Sequence, residues 1–144
     1  MSAGFQKHAW LIFFILGIGA VIAAPIQLAG NPPNPPSAEG TTGLTVDEIT
    51  ERVPGMPRYI SSISRQLGNF MLAFGVLLMA ISAVPFRRGE RWAWFSLWVA
   101  PVLLGIQFLN SHGGLGWQFD LALVPVTLAG LLVPYRKFFP RARP

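Results

Sequence analysis

The side chains of this chain that could do chemistry are mostly polar groups at the ends of apolar runs. Ser62, Arg65, Gln66 and Asn69 lie at i, i+3, i+4 and i+7, so they share one face of a helix. The chain has four long apolar runs, and further polar residues follow where the third of these runs ends and the fourth begins. Because ionisable groups near a bilayer are costly and often functional, we predict a ligand-binding site here. Its residues are Arg65, Asn69, Gln107, Asn110, His112 and Asp120.

Two interpretations of these residues are open. In the first, Arg65 pairs with Asp120, while Asn69, Gln107 and His112 line an outward cavity. Such a cavity could bind a lipid head group, a quinone or another small amphiphile. In the second, all of them cap helix ends at the wet interface, where polar residues are cheap.

Catalytic and cofactor chemistry is not indicated. Asp120 has no acidic partner in any apolar run, and no Ser/His/Asp spacing is recognisable, so we expect binding rather than an enzyme. His8 and His112 are predicted on opposite sides of a membrane and could not ligate one haem iron. The absence of cysteine excludes disulfides and thiolate zinc sites. We predict no cofactor and no metal.

Four long apolar runs must position these residues. Only 12% of the 144 residues are charged, against roughly 25% in soluble domains, and the mean hydropathy is +0.48. A helix needs about 17 to 25 residues to cross a ~30 Å hydrocarbon core. We therefore predict an all-α polytopic membrane four-helix bundle, forming one domain over 1–144. Its spans are about 10–29, 67–86, 92–109 and 119–135.

The basic residues predict the orientation of these spans. The two termini and the 87–91 turn together hold eight Lys or Arg and one acid, whereas the 30–66 and 110–118 loops, with Asp120, hold three basic residues and five acids. Basic loops stay cytoplasmic. We predict a bacterial inner-membrane protein with both termini in the cytoplasm. A cleaved signal peptide is the alternative for the first run, whose apolar stretch exceeds the usual 7 to roughly 15 residues.

The outer loop, 30–66, is predicted to form a short helical cap. Its first part is rich in proline, which fixes φ and favours a stiff extended spacer. Thr45 and Glu48 then have the spacing of a capping box, opening a helix that stops at Pro54. A second helix from Pro57 is predicted to run unbroken into the second span, because its apolar residues keep helical spacing.

Small residues predict where helices touch. Gly68, Gly75 and Ser82 recur every seven residues on the second span, and Gly19 with Ala23 forms a small-xxx-small pair on the first. Small side chains let membrane helices approach closely. Pro101 and Pro125 are predicted to kink the third and fourth spans.

The net charge of +5 does not indicate nucleic-acid binding, because the basic residues form short clusters rather than a stripe. Arg87, Arg88, Arg91 and the C-terminal cations are most simply topology determinants attracted to anionic lipids. A docking surface for an acidic protein is the alternative.

One stretch is similar to known sequences. An LT-x-(D/E)-E-I opening, an RQLG entry into the second span and the turn FRRGERWAW occur between Leu44 and Gly105. This part resembles small four-helix bacterial membrane proteins that are loosely DoxX-like or of the DUF4345 type. The resemblance implies a four-span bundle and supplies no activity or site residues.

The leading functional hypothesis is a membrane protein that works by binding. It would be an accessory subunit of a membrane complex or a binder of a lipid- or quinone-type amphiphile. The expected partners are membrane lipids, with a protein partner or a second copy of the chain as further options. The alternative is a small oligomeric transporter or membrane enzyme with an outward-facing polar pocket.

Overall fold

The computed structural model describes residues 8–30, 42–110 and 117–140, and in these ranges the chain is helical without strands. The helices, in chain order, are α1 (Trp10–Leu28), α2 (Val46–Arg52), α3 (Met56–Ile81), a π-helical segment (Ser82–Phe86), α4 (Arg91–Leu97), α5 (Val99–Asn110), α6 (Trp117–Leu132) and α7 (Tyr135–Phe138). The all-α prediction is confirmed for these ranges. The predicted bundle arrangement and outer cap stay predictions.

Four helical stretches are long and apolar enough to cross a membrane within the described ranges. They are Trp10–Leu28, Met56–Phe86, Arg91–Leu109 and Leu121–Phe138. Only 17% to 28% of the apolar window in each is buried inside the protein. Many large apolar side chains are therefore exposed, including Ile22 at 69% and Phe70 at 73%. Lipid tails would solvate such surface at no hydrophobic cost, whereas water would not.

Helix α2 begins with the predicted capping box. The backbone N–H of Glu48 donates to the Thr45 hydroxyl at 3.2 Å, and the backbone N–H of Thr45 donates to the Glu48 carboxylate at 2.8 Å. Two unsatisfied donors at the helix start are paired in this way. The hydrogen bonds from the Thr45 backbone and hydroxyl lower the pKa of the Glu48 carboxyl. The helix ends at Arg52, just before Pro54.

Helix α3 carries the outer loop into the second apolar run without a break, as predicted. It starts at Met56, and with the π-helical segment it gives 31 continuous helical residues ending at Phe86. Pro85 lies in the π-helical segment, and like every proline it has no backbone N–H to donate to the helix. The chain then turns at Gly89, whose φ of 85° belongs to the left-handed region that glycine tolerates.

The contacts divide the chain into two compact units, 1–19 with 75–144 and 20–74. Both boundaries fall inside long helices, α1 and α3, and the prediction of one domain over 1–144 stays a prediction. In the first unit, Phe13, Leu97 and Leu131 are fully buried. Phe13 and Phe86 meet edge to face at 5.6 Å between ring centroids.

Close helix contacts in each unit use small residues. In the first unit, a Cβ at Gly17 would lie 2.7 Å from the Gly75 carbonyl oxygen. In the second unit, a Cβ at Gly68 would lie 2.8 Å from the backbone nitrogen of Leu28. Gly75 and Ser82 are buried as well, so the heptad on the second span marks a packed face as predicted.

The predicted small-residue pair on the first span is wrong in its register. A Cβ at Gly19 would meet nothing within 4 Å, so this glycine lies on an open face. The packed small residues of α1 are instead Gly17 and the fully buried Ala24. The physical reason is that α1 is apolar on all sides, and no polar face shows which side packs.

Proline affects the third and fourth spans differently. Helix α4 ends at Leu97 and α5 begins at Val99, so the third span is interrupted one turn before Pro101. Proline has no backbone N–H, and the carbonyl one turn before it therefore lacks its usual donor. Pro125 lies inside the continuous α6. The fourth run is divided later, between Leu132 and Tyr135. Its helical part begins two residues earlier and ends three residues later than the predicted span of 119–135.

Candidate functional site

A groove lies along the first three turns of α3, in the second unit. It encloses about 420 Å³ and is lined by Pro57, Arg58, Ser61, Ser62 and Arg65. Arg58, Ser62 and Arg65 recur at i, i+4 and i+7, which places them on one side of a helix. The groove is therefore a polar stripe about 10 Å long, set by the rise of seven helical residues.

The groove presents two cations and two hydroxyl groups. Within the described ranges, neither Arg58 nor Arg65 has a hydrogen bond or an ion pair, and both are exposed. A guanidinium carries five donors arranged to match the oxygens of carboxylate and phosphate. Ser61 and Ser62 add hydroxyl donors between the two cations. This donor set suits an anion with several oxygen atoms.

The turn after α1 lies against the groove. Gly30 has a φ of 71°, and a Cβ there would overlap the Ser61 hydroxyl and lie 3.0 Å from the Arg65 Nε. A residue with a side chain would be strained in this conformation and would also displace the groove residues. Glycine at this position therefore keeps the Ser61–Arg65 part of the groove accessible.

An exposed apolar stripe lies on another face of the same helix. Tyr59, Ile63, Leu67 and Phe70 follow at i, i+4, i+8 and i+11, and their exposed fractions are 64%, 47%, 48% and 73%. Consecutive residues of a helix differ by about 100° in direction, so the centre of this stripe lies about 130° round the helix from that of the polar one. Helix α3 thus presents a cationic face and a separate apolar face, which match the head and the tail of an amphiphile.

The helix length sets the depth of the groove. Thirty-one helical residues from Met56 to Phe86 extend about 46 Å, which exceeds a ~30 Å hydrocarbon core. If the Phe86 end lies at one interface, the first turns of α3 extend past the core on the other side.

Of the predicted site residues, the structure brings Arg65 into this groove. Asn69 is exposed one turn further along α3 and does not line it. Gln107 is exposed near the end of α5 in the first unit and has an interaction of its own. Asn110 ends α5 and Asp120 belongs to α6, but their side chains, like all of His112, lie outside the described residues. The convergence of the six residues and the Arg65–Asp120 pair stay predictions.

Sequence reasoning missed Pro57, Arg58 and Ser61 as site residues. The signal was present, because Arg58 extends the Ser62–Arg65 stripe by one turn toward the N-terminus. The prediction instead extended this polar face toward the C-terminal end of α3 and the membrane core, because polar residues buried in the core are most often functional.

Metal-ligating residues do not cluster in the part of the chain that the structure describes. No group of three or more His, Cys, Asp or Glu side chains able to hold a metal ion occurs in these ranges. The chemistry of the groove is accordingly that of arginine and serine donors.

These features define the class as far as the fold allows. The described ranges are all-helical, with four helices able to span a membrane, and α3 carries a cationic groove and an exposed apolar stripe. Comparison with family models found no match to the chain, and searches of curated proteins and of solved structures found none either. The resemblance to DoxX-like and DUF4345-type proteins therefore stays an expectation from sequence.

Proposed function

We propose that this chain is a multi-pass membrane protein that binds an amphiphile with an anionic head group in the groove at the start of α3. The observation that carries this proposal is that two guanidinium groups without partners in the described ranges and an exposed apolar stripe lie on the same helix at the same depth. Arg58 and Arg65 supply charge-assisted hydrogen bonds to the head group, and the stripe from Tyr59 to Phe70 contacts the tail.

The cellular setting is part of the proposal. We place the chain in a bacterial inner membrane with both termini in the cytoplasm, because one set of alternate segments holds eight basic residues and one acid. The groove then lies on the outer face, within reach of amphiphiles in the outer leaflet.

The test is to identify what the purified protein retains. The full-length chain would be solubilised in mild detergent, and its bound amphiphiles compared by mass spectrometry with the total membrane extract. We expect an anionic amphiphile to be enriched in the wild type. In the double variant Arg58→Gln and Arg65→Gln this enrichment should fall about tenfold or more, because two hydrogen bonds to a charged group are removed.

The matched control is Arg52→Gln, which removes an exposed cation from α2 outside the groove and should leave the enrichment unchanged. Retained amphiphile that mirrors the bulk membrane in every variant would refute the proposal. A stoichiometric protein partner without an enriched amphiphile would support the accessory-subunit hypothesis instead. Ligand flux across liposomes containing the protein would favour the small oligomeric transporter.

A further inference from the structure

The first unit carries a second group of cations, distinct from the groove. We call it the basic end: Arg87 and Arg88 of the turn after the π-helical segment, Arg91 at the start of α4, and Arg136 and Lys137 of α7. Side-chain contacts hold it together. The Lys137 ammonium donates to the Arg87 carbonyl, and the Arg91 Nε donates to the Phe138 carbonyl at 3.2 Å. The turn and α7 are thus joined, and their charges lie side by side.

Aromatic rings support two of these cations. The Arg87 guanidinium lies over the Trp10 ring at 5.3 Å from its centroid, and the Arg91 guanidinium lies over Phe139 at 5.5 Å. Such contacts orient a cation without neutralising it. Arg88 and Arg136 are exposed and have no contact of this kind in the described ranges.

Nearby carboxylates do not balance the cluster. Glu90 is the one acid in 87–91 and 134–140, and its carboxylate accepts a hydrogen bond from the Trp92 indole N–H at 2.7 Å. Five cations and one acid leave a local charge of +4. Like charges held this close repel one another, so binding an anion would stabilise the cluster.

Exposed aromatic side chains indicate where such an anion would lie. Trp92 is 53% exposed and Tyr135 46%, and they lie on α4 and α7, the helices that carry the cations. Amphipathic rings favour the head-group layer of a membrane. The anions at that depth are lipid phosphates.

We propose that the basic end binds the phosphate head groups of anionic phospholipids, with Arg88 and Arg136 as its freely reaching donors. This site does not depend on the groove or on its ligand. A polybasic surface gains about 1 kcal/mol for each Lys or Arg near an anionic membrane, which is roughly fivefold in affinity per residue. Zwitterionic lipids, which have no net charge, would gain little from it.

Hydrogen exchange of the full-length protein in detergent micelles tests the proposal locally. Phosphatidylglycerol is titrated in, with phosphatidylcholine in parallel, and exchange is followed at the backbone amides of 87–91 and 135–139. We expect phosphatidylglycerol to slow exchange there and phosphatidylcholine to have little effect. The protection should weaken as the salt concentration rises.

Variants separate the two sites. Arg88→Gln with Arg136→Gln removes two exposed cations that make no described contact, and the apparent affinity for phosphatidylglycerol should fall about 25-fold. Arg58→Gln with Arg65→Gln removes the same charge from the groove and should leave protection at 87–91 unchanged. Equal protection by both lipids, or unchanged protection in the Arg88/Arg136 variant, would overturn the proposal. Stronger protection by polyglutamate than by phosphatidylglycerol would overturn it in favour of an acidic protein partner.

Discussion

Single residues show how this chain satisfies polar atoms in an apolar setting. The Trp94 indole N–H donates to the Leu131 carbonyl at 3.0 Å, and this hydrogen bond is buried. Leu131 lies in the last turn of α6, where carbonyls have no helical partner. The same ring contacts Trp98, Tyr135 and Phe139. One side chain thus links α4 to the end of α6 and to α7.

We predict that Trp94→Phe will destabilise the fold by about 1–3 kcal/mol, because it leaves the Leu131 carbonyl buried without a donor. Thermal unfolding in detergent would show this as a midpoint several degrees lower than that of the wild type. The control is Trp92→Phe, in which an exposed hydrogen bond to Glu90 is lost. A similar loss in both variants would mean that the hydrogen bond to Leu131 is not the cause.

The sequence identifies residue 94 as a tryptophan, a side chain that favours the membrane interface, but it does not show which residues the ring contacts. Tryptophan after a basic turn predicts a ring at the membrane interface, and this holds for Trp92 and Trp94 alike. Trp94 is only 8% exposed within the protein, whereas Trp92, two residues earlier, is 53% exposed. The distinction depends on which side of α4 faces α6 and α7, and this is a tertiary contact.

At the scale of helices, small residues determine how closely backbones approach. The heptad of Gly68, Gly75 and Ser82 could be predicted because α3 also has polar residues, which reduce the number of faces able to pack. On α1 every residue except Gln27 and the small residues is apolar, so the sequence does not show whether Gly17 or Gly19 lies in the helix contact. The structure distinguishes them through Gly75 and Met79, which leave no room for a Cβ at position 17.

We predict that Gly68→Ala will destabilise the protein by about 1–3 kcal/mol, because its Cβ would overlap the backbone of Leu28 and cannot be accommodated by a rotamer change. Gly19→Ala is the matched control. It places the same methyl group in open space and should be neutral or slightly stabilising, since alanine favours helix. Unfolding midpoints of the two purified variants would be compared with the wild type. Equal destabilisation of both would contradict the packing described for Gly68.

At the scale of the whole molecule, the four candidate spans could be predicted almost completely, because length and hydropathy are local properties of the sequence. The convergence of Arg65, Asn69, Gln107, Asn110, His112 and Asp120 could not, since it depends on how separate helices are arranged. Within α3 the local rule was sufficient: the spacing that predicted a polar face at Ser62 and Arg65 agrees with the groove. The groove differed from the prediction by extending outward to Pro57, Arg58 and Ser61 and by not including Asn69.

We predict that reporters on the N-terminus and on the C-terminus will both be cytoplasmic, and that a reporter inserted between Pro36 and Ser37 will be outside. The charge difference across alternate segments is the physical reason. Removing Arg87, Arg88 and Arg91 together should produce a fraction of molecules with mixed orientation, whereas removing Arg52, Arg58 and Arg65 should not. Opposite locations for the two termini in the wild type would contradict the four-span topology.

The π-helical segment at Ser82–Phe86 has a consequence for insertions and deletions. A π-turn holds one more residue than an α-turn, so everything after Phe86 is rotated by about 100° relative to a continuous α-helix. Deleting Ala83 would convert this stretch to ordinary helix and turn Arg87 away from Trp10. The contact between Arg87 and Trp10 therefore requires a second span of this length. In a sequence with one residue fewer in that span, Arg87 would need a different aromatic partner.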